Sequence, residues 1–264
     1  MYSRALRYSI LFVVAACFTG CEDIFDVTPY DTPSDQAAEK LTEKNIALWQ
    51  QRSGSGHGPM TIALTTDPHF HYGDLGDVVA HINARPAIDA VIVAGDLTDQ
   101  GLLGEFELFT DVMNGMDKPW ITVIGNHDHL SNGSTVYERM LGARNYTVDI
   151  REYRFIFFDD VNWESDETPD LAWLQAMLAT TGERIPIVIA HIPPNNDQLT
   201  DGLGVSMRQL LIEHDVPLFI HGHIHAYQQY TDGVAMLSLP WPAERMYVLL
   251  TMQQDHFTIE PVAL

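Results

Sequence analysis

Cysteine is scarce in this chain: 264 residues carry two, Cys17 and Cys21. Cys17 falls inside an N-terminal apolar run. A removable leader would take it away and leave Cys21 without a partner, which excludes a structural disulfide. Positive charge is scarce too. Lysine occurs only at Lys40, Lys44 and Lys118, and 14 Lys+Arg face 36 Asp+Glu, for a formal net charge of −22. Nucleic acid is therefore a poor partner, because phosphate contacts need clustered cations. A phosphorylated small molecule stays admissible if a metal ion supplies local positive charge. Long apolar runs are missing: the strongest, Ile10 to Phe18, is too short to span a bilayer. There is no internal repeat and no long low-complexity tract. What is present is a composition 46% hydrophobic, enough for one sizeable domain with short extras.

Arg4 and Arg7 precede the apolar run, and small residues Thr19-Gly20 follow it before Cys21. This is the layout of a secretory signal. The ending Phe18-Thr19-Gly20-Cys21 resembles a bacterial lipoprotein signal, although Phe18 departs from the usual Leu or Val. The resemblance implies removal of residues 1–20, a lipid on Cys21 and anchoring in the cell envelope. The alternative is ordinary cleavage with Cys21 left as a free thiol. Residues 21–59 read as an acidic tether with Pro29 and Pro33. Gln36 to Arg52 can form a helix whose apolar face is imperfect. That helix either docks on the domain or spaces it from the membrane. The Gly-rich stretch Ser53 to Pro59 marks the boundary of a domain spanning 60–264.

From Met60 onward, short apolar strands alternate with helical patterns. Strands are expected at 61–66, 90–94, 120–124, 147–150, 154–158, 185–190 and 217–220. Helices are expected at 75–84, 105–114, 137–141, 170–179 and 205–214. The C-terminal part, from Ala226, reads as strands alone. Alternation followed by a strand-rich end predicts an α/β fold with two mixed sheets packed face to face and helices outside.

The stretch Ile121-Thr122-Val123-Ile124-Gly125-Asn126-His127-Asp128 organises the rest. A buried strand meets a glycine, read as letting the backbone turn sharply, and then three polar side chains. Four more strands end in the same kind of chemistry: Asp67-Pro68-His69, Gly95-Asp96-Leu97-Thr98-Asp99, His191, and His221-Gly222-His223-Ile224-His225. Each alone has a bland reading as turn punctuation or as a hydrogen-bonded core histidine. Together, at the edge where open α/β sheets place ligands, they predict one convergent cluster. So many carboxylates and imidazoles are costly to bury unless a cation neutralises them.

These five blocks resemble the calcineurin-like metallophosphoesterase superfamily, whose pattern is Asp-x-His, Gly-Asp-x-x-Asp, Gly-Asn-His-Asp/Glu, a lone His and Gly-His-x-His. The match covers about residues 60–230. It implies a four-layer α/β/β/α sandwich and a binuclear metal-dependent phosphoesterase that uses a metal-activated hydroxide. Asp67, His69 and His225 would bind one ion, Asn126, His191 and His223 the second, and Asp96 would bridge. The donor mixture suits Mn, Fe or Zn. His127 matches the family's catalytic histidine, and Asp99 would orient it and keep it protonated. Asp99 also argues against the purple acid phosphatase branch, which places a tyrosine there. Gly95 to Gly101 is similar to the branch containing class III cyclic nucleotide phosphodiesterases, which makes a phosphodiester the favoured substrate class. A strict phosphomonoesterase is the alternative, followed by a non-catalytic metal-binding scaffold. The substrate would be a small phosphate ester such as a nucleotide or a phospholipid headgroup. Asp128 is expected to support the cluster from behind, His221 to face away from it, and His71, Tyr72 and His129 to touch substrate or shape the rim. Trp163 with the acids Glu164 to Asp170 is read as a lid or, more conservatively, a solvated loop.

Overall fold

A computed structural model describes residues 30–32, 40–54 and 58–264. The leader and Cys21 lie outside the described residues. The chain divides into two units, 1–31 and 32–264, and the second holds every element below. Among the described residues, no helix is long and apolar enough to cross a membrane.

One sheet comprises β1 (Met60–Thr65), β2 (Ala90–Ala94), β3 (Trp120–Val123), β10 (Met246–Gln253) and β11 (His256–Ala263), in the order β11-β10-β1-β2-β3. The other comprises β4 (Tyr146–Ile150), β5 (Tyr153–Phe157), β6 (Ile185–Ile189), β7 (Leu218–His221), β8 (Gln228–Asp232) and β9 (Val234–Ser238), in the order β4-β5-β6-β7-β9-β8. Both are mixed: β1, β2 and β3 run parallel, as do β5, β6, β7 and β9, and antiparallel strands lie toward the edges.

The central parallel strands are apolar along their whole length because both faces are covered. In β2, Ala90, Ile92 and Ala94 point into the core between the sheets, while Val91 and Val93 point outward. The outward side chains meet α2 (Tyr72–Asn83), α3 (Leu103–Met113) and α5 (Gly133–Met140) through Val78, Phe106, Phe109 and Val136. On the second sheet, Ile156, Val188 and Phe219 pack under α6 (Leu171–Ala179) and α7 (Leu203–Glu213). The layers are α/β/β/α, as expected.

Helix α1 (Leu41–Ser53) docks. Trp49 is fully buried in the inter-sheet core, its ring 5.0 Å from that of Phe155. Asn45 Oδ1 accepts from the Trp120 backbone N–H at 3.0 Å, and the Thr42 N–H donates to the Leu141 carbonyl. Residues 41–53, expected within the tether that precedes residue 60, thus pack as part of the domain. Their buried face mixes Leu41, Thr42, Asn45 and Trp49, while Leu48 is exposed. Polar members of that face made the apolar periodicity imperfect. Two short elements also differ from expectation. Asn126–His129 forms a single helical turn, α4, directly after β3, and Pro242–Glu244 forms a 3-10 turn in the strand-rich end. Runs this brief carry no periodic signal.

Candidate metal centre

The five sequence blocks meet at one place. β1, β2 and β3 deliver Asp67, His69, Asp96 and Asn126 just beyond their C-terminal ends. β6 and β7 deliver His191, His223 and His225 from the opposite sheet. Three groups with mutually close donor atoms result: Asp67 with His69 and His225, Asp96 with His191 and His223, and His69 with Asp99 and His127, the last overlapping the first at His69. Within each, the potential ligand atoms lie within 4.8 Å of one another. Asn126 joins the second, its Oδ1 lying 3.1 Å from both His191 Nε2 and His223 Nδ1. All seven candidate donors are therefore brought together.

The glycines in these blocks act by leaving room. Gly125 has an extended backbone (φ −112, ψ 177), so it does not turn the chain as expected. A Cβ there would sit 2.1 Å from the Asp96 backbone nitrogen and 2.3 Å from its Oδ1. A Cβ on Gly95 would meet His191 Nδ1 at 2.4 Å, and one on Gly222 would meet Asp67 Oδ2 at 2.7 Å. Positive φ falls on Gly95, at 93, and on the donors themselves: Asp67, Asp96, His223 and His225 have φ of 51, 51, 67 and 58. Left-handed backbone at non-glycine residues is strained, and it persists only where the surroundings enforce it.

Charge in the cluster is unbalanced. Asp67 and His191 are fully buried and Asp96 nearly so. Among the described residues, no arginine or lysine pairs with Asp67, Asp96 or Asp99; their close charged neighbours are histidines. Asp67 Oδ1 and both ring nitrogens of His69 are buried without a hydrogen-bond partner. His225 Nε2 approaches Asp67 Oδ1 to 2.9 Å but without hydrogen-bond alignment. Buried polar atoms left without a hydrogen bond are expensive, and a cation would satisfy the lone pairs among them. The donor set of carboxylates, an amide oxygen and imidazoles fits a transition-metal ion.

Titration follows the same geometry. Burial disfavours the charged form of His191, but Asp96 and Asp67 outweigh it and hold its pKa up at about 10. Burial pushes Asp96 upward, and His191 and His127 pull it back well below the usual carboxylate range. His223 is pushed down to about 4, first by burial and then by His191. His225 is raised, chiefly through its contact with Asp67.

His127 stands beside both groups, with about a third of its side chain exposed. Its Nδ1 lies 2.8 Å from the Asp99 carbonyl oxygen and 3.6 Å from the Asp99 carboxylate. The expected orientation of His127 by Asp99 is thus made mainly by the main chain. The Asp99 carboxylate also sits 3.7 Å from His69 Nδ1, so it faces two rings at once. Asp128 accepts from the N–H groups of Gly125, Leu97 and Thr98 and from the Thr98 hydroxyl, bracing two motif loops. His221 faces the other side of its strand and bonds Tyr230. His129 is committed to Asp159 and Ser134, whereas His71 reaches the rim.

Two residues near the centre stand outside the expected donor set: Trp241 carries no signal in the sequence, and Glu164 reads there only as part of a lid or solvated loop. Trp241 stacks on His225 at 4.5 Å and meets His71 edge-on. Glu164, from the acidic loop, accepts a hydrogen bond from the Asn126 side-chain amide at 3.1 Å.

The calcineurin-like phosphoesterase family model matches residues 60–227. The chain is 29% identical over 161 residues to a glycerophosphodiester phosphodiesterase, GpdQ, of Enterobacter lignolyticus, covering 51% of this chain and 57% of that one. It is 37% identical over 130 residues to a probable glycerophosphodiester phosphodiesterase of Arcobacter nitrofigilis, covering 46% and 48%. It is 28% identical over 200 residues to purple acid phosphatase 22 of Arabidopsis thaliana, covering 60% and 44%. The chain thus spans about half the length of the curated relatives it matches. Its fold is similar to a dimetal phosphatase from Danio rerio, with TM-score 0.64 and 13% identity over 76% of this chain and 95% of that one. With the family model matched across all five donor-bearing blocks, the chain belongs to the calcineurin-like phosphoesterases, a family of metal-dependent hydrolases.

Proposed function

We propose that this protein hydrolyses a small phosphodiester at a pair of metal ions. One ion would be held by Asp67, His69 and His225, the other by Asn126, His191 and His223, with Asp96 between them. The observation that carries the reading is the pair of adjacent donor groups, with Asp67 Oδ1 and both His69 ring nitrogens buried without a hydrogen-bond partner. When bound, such ions supply Lewis acidity toward phosphoryl oxygens and a water acidic enough to act as nucleophile near neutral pH.

The chain's own residues do the remaining work. His191 donates from Nδ1 to the Ala94 carbonyl at 2.7 Å, which fixes the ring and turns Nε2 toward the donors. His127 donates from Nδ1 to the Asp99 carbonyl, so Nε2 is left to meet the substrate. There, when doubly protonated, it hydrogen-bonds a phosphoryl oxygen or gives its proton to the departing alkoxide.

The diester reading draws on the names of the GpdQ relatives. The purple acid phosphatase relative supports the alternative, a phosphomonoesterase. Manganese-loaded protein should turn over bis-p-nitrophenyl phosphate faster than p-nitrophenyl phosphate. The opposite ranking favours the monoesterase, and no turnover of either overturns the proposal for simple esters. We further propose export and lipid anchoring at Cys21, supported by the N-terminal sequence. Two acyl chains give firm attachment, so Cys21→Ser should move the protein out of the membrane fraction. Unchanged recovery with membranes refutes the anchor.

A further inference from the structure

An asparagine side chain can bind a cation through its oxygen only if its amide is turned the right way round. At Asn126, Oδ1 faces His191 Nε2 and His223 Nδ1, and Nδ2 faces Glu164 Oε1 at 3.1 Å. An ionised carboxylate accepts hydrogen bonds and cannot donate them. Glu164 therefore tolerates only the NH2 end of Asn126, and the oxygen is forced toward the donor cluster.

The loop bearing Glu164 is tied on both sides. Arg144 bridges Asp159 and Glu167 at 2.9 and 3.0 Å. The Ser165 hydroxyl donates to the Val161 carbonyl at 2.7 Å. Asn162 Nδ2 donates to the Gln198 carbonyl and the Thr200 hydroxyl. Between these ties, Glu164 turns inward while its neighbour Trp163 stays exposed. Glu164 Oε2 is buried with no partner, so this carboxylate has no purely structural hydrogen-bond network to serve.

We propose that Glu164 is a positioning residue: it locks the amide of Asn126 with its oxygen toward the second ion and polarises that oxygen into a better ligand. Outer partners of metal ligands typically contribute 10–100-fold in affinity. This inference rests on the two-metal reading of the same site.

The test is equilibrium dialysis of the full chain against Mn²⁺, for wild type, Glu164→Ala and Glu164→Gln, with melting of the metal-free proteins as a folding check. Glu164→Ala should weaken one of the two Mn²⁺ ions by about 10–100-fold. Glu164→Gln, whose carbonyl can still accept from Asn126, should hold it within about threefold, because it keeps the acceptor and loses only the charge. The EPR signature of the coupled Mn²⁺ pair should vanish from the Ala variant at ion concentrations where wild type and the Gln variant retain it. Wild-type affinity in the Ala variant, or equal losses in the Ala and Gln variants, overturns the assignment. If wild type itself takes up fewer than two ions, the two-metal reading has failed instead.

Discussion

The two halves of the donor cluster are built differently. The half around Asp96, Asn126, His191 and His223 is knit to itself and to the backbone. His191 Nδ1 is held by the Ala94 carbonyl and Asn126 Oδ1 sits between two imidazoles. Asp96 takes the His127 N–H at 2.8 Å and approaches His191 at 3.2 Å. The half around Asp67, His69 and His225 is loose by comparison. His69 has no hydrogen-bond partner at either nitrogen, and neither does Asp67 Oδ1. His225 is about a third exposed at the side chain and rests against Trp241. A set of polar groups that satisfies itself can hold its shape before any ion arrives. A set that leaves its lone pairs unused depends on the ion to become stable.

Stripping the ions should have the largest effect. Turnover should fall to background. For ions present at about a hundredfold over Kd, the melting temperature should drop by about 5–10 °C, from the ~2.7 kcal/mol that such binding contributes. An unchanged melting curve would mean that the orphaned atoms find other partners and that the contrast between the halves is false. His127→Ala comes next. It should lower kcat by about 10²–10⁴-fold, as expected for lost acid–base help, while metal content stays at wild-type stoichiometry. A drop in bound metal would instead place His127 inside one of the halves.

Comparing His191→Ala with His225→Ala in the metal-free protein sharpens the contrast directly. Removing His191 leaves Asp96 buried without its charge partner, and chemical denaturation should report a loss of about 3–5 kcal/mol. Removing His225, about a third exposed, should cost less, because Asp67 keeps the Thr66 hydroxyl and the His223 N–H as donors to its other oxygen. Equal losses would erase the distinction. The last effect is confined to acid pH and concerns His221, behind the knit half. Burial lowers its pKa to about 4 from the ordinary 6.5. The unfolded chain binds a proton across that interval while the folded chain does not, so stability should fall as pH drops from about 6.5 to about 4. His221→Asn should make that limb shallower in metal-free protein; an identical slope would show that His221 contributes nothing to it.

Much of this site was legible because its chemistry is written at strand ends. Apolar runs such as Ala90–Ala94 and Ile185–Ile189 mark buried strands, and polar residues directly after them have few places to go but the shared edge. The neighbours that support those residues were not legible. Glu164 sits in an acid-rich loop with no periodicity, and its partner Asn126 lies 38 positions away in sequence. Trp241 follows a strand as any rim aromatic might. The sequence leaves docking of α1 undecided because Asn45 and Thr42 on its buried face bond distant backbone instead of adding to an apolar stripe. Gly125 was read as a turn, yet its smallness serves Asp96, 29 positions earlier. Each of these depends on a contact that only the folded chain brings about.

The donors come from both layers of the sandwich, with Asp67, Asp96 and Asn126 rooted in one sheet and His191, His223 and His225 in the other. An ion gripped by both groups would act as a bolt between two plates otherwise joined by oily contact and a few hydrogen bonds, such as that from His191 to the Ala94 carbonyl. Amide protons on the facing sides of β2 and β6 would then exchange more slowly in loaded protein than in stripped protein, so that losing the ion loosens the sandwich along the seam where chemistry takes place.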